Sequence, residues 1–196
     1  MRKETINTVF MNMPILETER LTLRRMAISD TEDMFSYASR SDVTEFLLWK
    51  PHPTRSYTMD YLRYIGTRYA LGDFYDWAVV DKESGRMIGT CGFTRFDLPH
   101  NGAEIGYVLN PEFHGRGYAT EAASRVMRYG FEELGLHRIE AKFMEGNDAS
   151  RRVMEKLGMQ FEGFRRESML VKKRYRTIGI CAVLADEWRA LQNESV

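Results

Sequence analysis

The stretch EIGYVLNPEFHGRGYATE, residues 104–121, decides how the chain folds. It passes from an apolar segment through Asn110-Pro111 and a glycine pair into an Ala-rich helical pattern. A strand that ends in a glycine turn and feeds a helix is a place to hold phosphate. The first N–H groups of a helix have no intrahelical acceptor, and the helix dipole adds partial positive charge there. Gly115 and Gly117 carry no Cβ, so an anion can approach the main chain.

Three phosphate-loop patterns compete for this turn. A Walker-type loop needs Gly-Lys-Ser/Thr after four spacer residues, and HGRGYATEA lacks it. A dinucleotide fingerprint needs a third glycine where Thr120 stands, and an acidic residue ending the next strand. Glu132 and Glu133 lie inside the helical pattern instead. The pyrophosphate of an acyl-CoA is the third reading.

Composition narrows the setting. The chain has 196 residues, is 43% hydrophobic, and carries 28 basic against 28 acidic residues. That length suits one domain. A net charge of zero argues against a broad nucleic-acid surface. Cys91 and Cys181 are the only cysteines, too few for a disulfide framework or a thiolate metal cluster, which fits a cytoplasmic protein. His52, His100, His114 and His137 are scattered without ligand spacing, so no metal is expected. No apolar run has the length of a membrane span or a signal peptide.

Outward from the central stretch, periodicity sets the other elements. Residues 1–15 lack it and read as an N-terminal arm or an added strand. Residues 19–26 alternate as a half-buried strand. Ser29 to Glu32 has the spacing of a capping box before a first helix. Residues 43–53, with Trp49, Pro51, His52 and Pro53, are irregular. Thr54 caps a second helix to about residue 71, whose tyrosines 57, 61, 64 and 69 form a stripe read as packing. Strands 74–80 and 87–96 form a hairpin, and 103–109 follows after a turn. The helix 117–134 leads to a strand at 137–144, which implies a parallel βαβ crossover. Asn147-Asp148 caps a shorter helix ended by Gly158. Strands at 160–167 and 174–184 precede a tail helix at 185–191. The expected fold is α/β: a mixed, mostly antiparallel sheet with one parallel crossover, in a single domain over 16–191 with a tail at 192–196.

The residues His114 to Ala119 resemble the (Q/R)-x-x-G-x-(G/A) turn of the GNAT N-acetyltransferases at Gly117 and Ala119, with His114 departing at the first position. The longer string PEFHGRGYATEA, with NDASRRVMEKLGM downstream, is similar to the RimJ/RimL-like branch, which includes ribosomal-protein N-terminal acetyltransferases. Flanking similarity runs from LETERLTLR near Leu16 to Trp188. The resemblance implies the GNAT acyl-CoA fold and acetyl-CoA as co-substrate. It implies that Leu109, Gly115, Arg116, Gly117, Tyr118, Ala119 and Thr120 surround the cofactor, chiefly through backbone amides. Pantetheine then lies between the strand ending at Leu109 and the strand from His137. Asn147 and Ser150 resemble residues directed toward the pantetheine or acetyl end; helix capping explains the same spacing. Arg116 reads equally as a phosphate contact or a solvated arginine.

Acetyl transfer to an amine needs a base for the ammonium proton and a proton or anion-stabilising contact for the thiolate. Glu104, in the string AEIGY, resembles the family's catalytic glutamate; an edge glutamate pairing with a nearby Arg is the competing reading. Many relatives place a Tyr where this chain has Met154, and Met cannot donate a proton. Ser150 or water is left for that role. Cys91, in an expected strand, reads as core, so direct transfer in a ternary complex fits better than an acetyl-cysteine intermediate. The acceptor implied by the resemblance is a protein or peptide α-amino group, with a small-molecule amine such as a polyamine, amino acid derivative or aminoglycoside as the alternative. A non-catalytic CoA-binding module is the alternative of another class. The expected acceptor walls are residues 49–53, the tyrosine-bearing helix and residues 171–175. The chain is expected to be a monomer or homodimer.

Overall fold

A computed structural model of the chain describes residues 3–194. The first elements are α1 (Lys3–Met11), β1 (Leu16–Glu17), β2 (Leu21–Arg24), α2 (Thr31–Ala38), α3 (Ser41–Thr44) and α4 (Arg55–Leu71). The strands β3 (Asp76–Asp81), β4 (Met87–Asp97) and β5 (Gly102–Leu109) follow. Then come α5 (Tyr118–Arg128), β6 (Arg138–Met144), α6 (Asp148–Lys156), β7 (Gln160–Val171), β8 (Arg174–Leu184) and α7 (Ala185–Glu194). Among the described residues the strands form one sheet in the order β1-β2-β3-β4-β5-β6-β8-β7. Every neighbouring pair is antiparallel except β5 and β6. The crossover through α5 forces that parallel pair, because a strand–helix–strand unit returns in the same direction.

Local chemistry sets the helix ends. Thr54 Oγ1 accepts the Tyr57 N–H at 3.2 Å, and Gly72 closes α4 in the left-handed region at φ 66°. The Asn147 side chain caps α6 by accepting the Ser150 N–H at 3.1 Å. Ala122, Ala123, Val126 and Met127 form the buried face of α5. Past Arg128 the helix widens into a π-turn over Tyr129–Glu133. Gly130 sits in that turn because a Cβ there would meet Ile139, Leu136 and Phe93, each at 3.0 Å. The expected single helix to residue 134 is therefore two helical geometries in series.

Two expectations change. Residues 3–11 are neither a loose arm nor a strand but α1, whose Ile6 and Phe10 are buried. Phe10 packs edge-on against Trp77 at 5.6 Å and Tyr75 at 4.8 Å, and Trp77 Nε1–H donates to the Pro14 carbonyl at 2.8 Å. Two apolar residues one helical turn apart are too few to register as periodicity, yet they suffice once a pocket receives them. Met1 and Arg2 of that arm, like Ser195 and Val196 of the tail, lie outside the described residues. The capping box at Ser29 to Glu32 is also corrected. A short 3₁₀ turn fills Ile28–Asp30, and α2 begins at Thr31. Asp30 accepts from the Ala27 N–H at 2.7 Å and pairs in a fork with Arg24 instead.

Candidate active site

The turn after β5 is braced from both sides. Asn110 is buried: its Oδ1 accepts the Glu112 N–H at 3.1 Å and its Nδ2–H donates to Ser36 Oγ at 3.2 Å. His114 Nε2–H donates to the Leu109 carbonyl at 2.9 Å, which folds the chain back on itself. Gly115 and Gly117 follow with φ of 77° and 83°, values that side chains disfavour. The helix begins at Tyr118, and its first intrahelical bond runs from the Glu121 N–H to the Gly117 carbonyl. That leaves the N–H groups of Tyr118, Ala119 and Thr120 at the positive end of the dipole.

A second brace comes from the turn between β1 and β2. Glu121 accepts the Thr18 hydroxyl at 2.6 Å, the Arg20 N–H at 3.0 Å and Arg20 Nε–H at 2.7 Å. Arg20 also donates from Nη1 to the Arg116 carbonyl at 3.0 Å and covers the Tyr118 ring. Burial pushes the Glu121 carboxyl up, but the hydrogen bonds from Thr18 and Arg20 outweigh it and hold the group below its ordinary range. The Arg116 side chain lies near Phe113, outside the residues that line the groove described next.

Parallel pairing between β5 and β6 covers only Gly102↔Arg138 to Ile105↔Ala141. Beyond it the two strands diverge, from Gly106 on one side and Lys142 on the other. Two hollows meet at the split. A groove of about 630 Å³ is lined by Leu109, Gly115, Gly117, Ala119 and Thr120. A cavity of about 430 Å³ lies against α2, α4 and the loop between α3 and α4. Tyr107, Val108, Asn147 and Ser150 line both. The split thus brings together every expected site residue except the Arg116 side chain.

At the junction the Tyr107 hydroxyl donates to the Ser150 carbonyl at 3.0 Å and stands 3.1 Å from Ser150 Oγ. Burial pushes the phenol well above its ordinary range, so it stays protonated and can donate. Met154 is buried beside it in the cavity wall. Tyr107 lies on the strand that leads to the glycine turn. No local signal marks it, because its partner is 43 residues away.

The cavity holds two carboxylates. Glu104 Oε2 pairs with Lys142 Nζ at 2.5 Å, and that ammonium also lies 3.2 Å from Glu140. Asp76, which the sequence reading did not single out, has an Oδ1 shielded from solvent and without a hydrogen-bond partner among the described residues. Burial pushes its carboxyl up to about 7, against the opposing hydrogen bonds from Thr90 and the Trp77 N–H. Trp49, His52, Tyr57 and Tyr61 line the same cavity. His52 Nδ1 lies 2.9 Å from Thr58 Oγ1, and burial lowers its basicity. The tyrosine stripe is therefore divided: Tyr69 packs, Tyr57 and Tyr61 face the cavity, and Tyr64 is exposed. Cys91 is fully buried, and burial pushes its thiol well up.

These features fit acetyl-CoA. The glycine turn gives an anion open main chain, since a Cβ at Gly115 would meet nothing within 4 Å. The split leaves strand edges exposed to an extended amide-bearing chain. No cluster of three metal-ligating side chains occurs among the described residues, and none of their helices is long and apolar enough to cross a membrane.

Known proteins carry the same pattern. The uncharacterized N-acetyltransferase p20 of Bacillus licheniformis is 35% identical over 176 residues, spanning 90% of this chain and 99% of that protein. YdaF of Bacillus subtilis, named as a candidate ribosomal N-acetyltransferase, is 34% identical over 104 residues, 53% of this chain and 57% of that one. The crystal structure of a GCN5-related N-acetyltransferase from Brucella melitensis superposes with a TM-score of 0.81 at 31% identity, covering 92% of this chain and 82% of that one. Residues 20–160 match the acetyltransferase (GNAT) domain model, the span that runs from the Arg20 brace through both sides of the split. The chain belongs to the GNAT family of N-acetyltransferases, enzymes that use acetyl-CoA.

Proposed function

We propose that the chain transfers the acetyl group of acetyl-CoA to a primary amine, directly and in a ternary complex. One observation carries this reading: the groove at the glycine turn and the cavity under α2 and α4 meet at the β5–β6 split, over Tyr107 and Ser150. Two substrates entering from opposite sides would meet there, and holding them together removes most of the entropic cost of their encounter. The backbone amides from Gly115 to Thr120 hold the diphosphate, with Leu109 and Asn147 along the pantetheine path. Acetyl-CoA supplies a thioester. The chain's own residues orient it, receive a proton from the amine at Glu104, and stabilise the departing thiolate at Ser150. The Tyr107 hydroxyl, donating to the Ser150 carbonyl, holds Ser150 in place. With Cys91 sealed in the core, no thiol is placed to carry an acetyl group.

The acceptor reading supported by sequence resemblance, and by the name given to YdaF, is a protein or peptide α-amino group. A small-molecule amine is the second reading, and the cavity favours it. At about 430 Å³, with aromatic walls and carboxylates at Asp76 and Glu104, it suits a compact cation. The test is release of CoA thiol from acetyl-CoA in the presence of N-terminal peptides and simple amines, with products identified by mass spectrometry. Acetylated product from either class is the expected result. Tight acetyl-CoA binding with no thiol release from any acceptor would instead support a CoA-binding regulatory module.

A further inference from the structure

We propose that Asp76 seats a second cationic nitrogen of the acceptor, one that is not acetylated, so that the substrate is a short aliphatic diamine. This rests on the reading of the cavity as the acceptor site and deepens its small-molecule form.

Asp76 lies opposite Gly92, and Gly92 lies opposite Gly106, so the three form one row across β3, β4 and β5. Two strand spacings put the Asp76 and Gly106 Cα atoms about 10 Å apart. Glu104 is two positions from Gly106 on β5, and therefore on the same face. The cavity floor thus runs from Asp76 over two glycines toward the point where the hollows meet. A side chain at either glycine would obstruct it. A Cβ at Gly92 would come within 2.8 Å of Asp76 Oδ1 and 2.3 Å of the Tyr75 carbonyl, and one at Gly106 within 2.7 Å of Thr94 Cγ2.

The two carboxylates are not equivalent. Glu104 is already neutralised by Lys142. Asp76 forms no ion pair among the described residues, and its Oδ1 has no donor. The titratable groups around it are Tyr37 from α2 and Tyr61 and Tyr69 from α4, with Cys91 on the opposite face of β4, all neutral when protonated. The loop side brings His52 and Lys50 to the cavity. A half-buried carboxylate with no counter-ion and one oxygen shielded from water without a donor is costly, and the rise of its carboxyl to about 7 reflects that cost. A ligand ammonium removes it through a charge-assisted hydrogen bond. Trp49, Tyr57 and Tyr61 offer apolar surface to a methylene chain and ring faces to its cation. A diamine therefore spans the floor, with one nitrogen on Asp76 and the other at the split.

The experiment compares 1,4-diaminobutane with 1-aminopentane, which has similar length but no second nitrogen. CoA release is followed for wild type and Asp76→Asn between about pH 6 and about pH 9. The wild type should favour the diamine in kcat/KM by about tenfold or more. That ratio should rise as pH passes through the Asp76 titration, since only the carboxylate pairs with a cation. Taking the ratio largely cancels the titration of the reacting amine. In Asp76→Asn the preference should collapse toward one. Equal use of both amines by the wild type, use of neither, or an intact preference in Asp76→Asn would each overturn the proposal. Where Asp76→Asn does not fold, the pH dependence of the wild-type ratio decides alone. Acetylation of a peptide with neither amine used would sink the diamine seat and leave the acetyltransferase reading standing.

Discussion

Glu104 Oε2 and Lys142 Nζ face each other at 2.5 Å across the end of the parallel pair, just where β5 and β6 begin to part. The carboxylate is thereby fixed at the mouth of the split, within the cavity and outside the groove that the glycine turn lines. Glu104→Gln should lower turnover by about 10²- to 10⁴-fold, the range for loss of a positioned acid–base group. Acetyl-CoA affinity, measured by calorimetry, should change by less than about threefold (under 1 kcal/mol). Wild-type turnover in the variant would place the base elsewhere.

Gly117 combines a left-handed φ with a position at the N-terminus of α5. Gly117→Glu introduces both backbone strain and negative charge where a diphosphate is expected, each worth about 1 kcal/mol or more. Acetyl-CoA binding should weaken by more than about tenfold, with Gly115→Ala as the milder companion. Unchanged affinity in Gly117→Glu would remove the diphosphate assignment from this turn.

The Glu121 brace predicts an acid-sensitive step in stability. Its folded carboxyl is held below the ordinary value of 4.5, so its contribution is fully present above that pH and lost as pH falls through the lowered value. Glu121→Gln should cost roughly 1–3 kcal/mol at neutral pH. Melting curves of the two proteins should converge as pH falls through that lowered value. A gap independent of pH would mean that the carboxylate charge is not what ties β2 to the turn.

Asp76 has the opposite sign. Its folded carboxyl is raised to about 7 from 3.8, so the unfolded chain ionises first as pH rises. Between those values unfolding releases a proton, and the residue becomes a growing liability that is complete above about pH 7. Asp76→Asn should therefore match the wild type at about pH 3.5 and exceed it at about pH 8 by on the order of 4 kcal/mol. Urea denaturation at the two pH values measures this. A constant difference would show that Asp76 titrates normally.

How much was legible in the sequence follows from the range of each interaction. The glycine turn, the α6 cap at Asn147 and the crossover are local patterns or consequences of element order, and the structure has them near the expected positions. The α1 helix was hidden because Ile6 and Phe10 acquire meaning only against Trp77, far along the chain. The Arg20–Glu121 brace joins residues 101 apart, and Tyr107 meets Ser150 across 43. Asp76 looks like an ordinary residue at the start of a strand until register sets it beside Gly92 and Gly106. The Met154 substitution was plain in the sequence. The contact of the Tyr107 phenol with Ser150 was not, because strand-to-helix packing has no sequence period.

The short parallel pairing of β5 and β6 makes the protein an incompletely laddered sheet with an edge in its interior. Main-chain groups on that edge lack the neighbour that an ordinary central strand would provide, so an extended ligand carrying amides would complete secondary structure on binding there. Substrate recognition and conformational stability are then coupled: at a ligand concentration of 100 Kd, mass action alone adds about 2.7 kcal/mol to the folded state. Amide hydrogen exchange along residues 106–109 and 142–144 would record the closure strand by strand, with protection rising as acetyl-CoA saturates the chain.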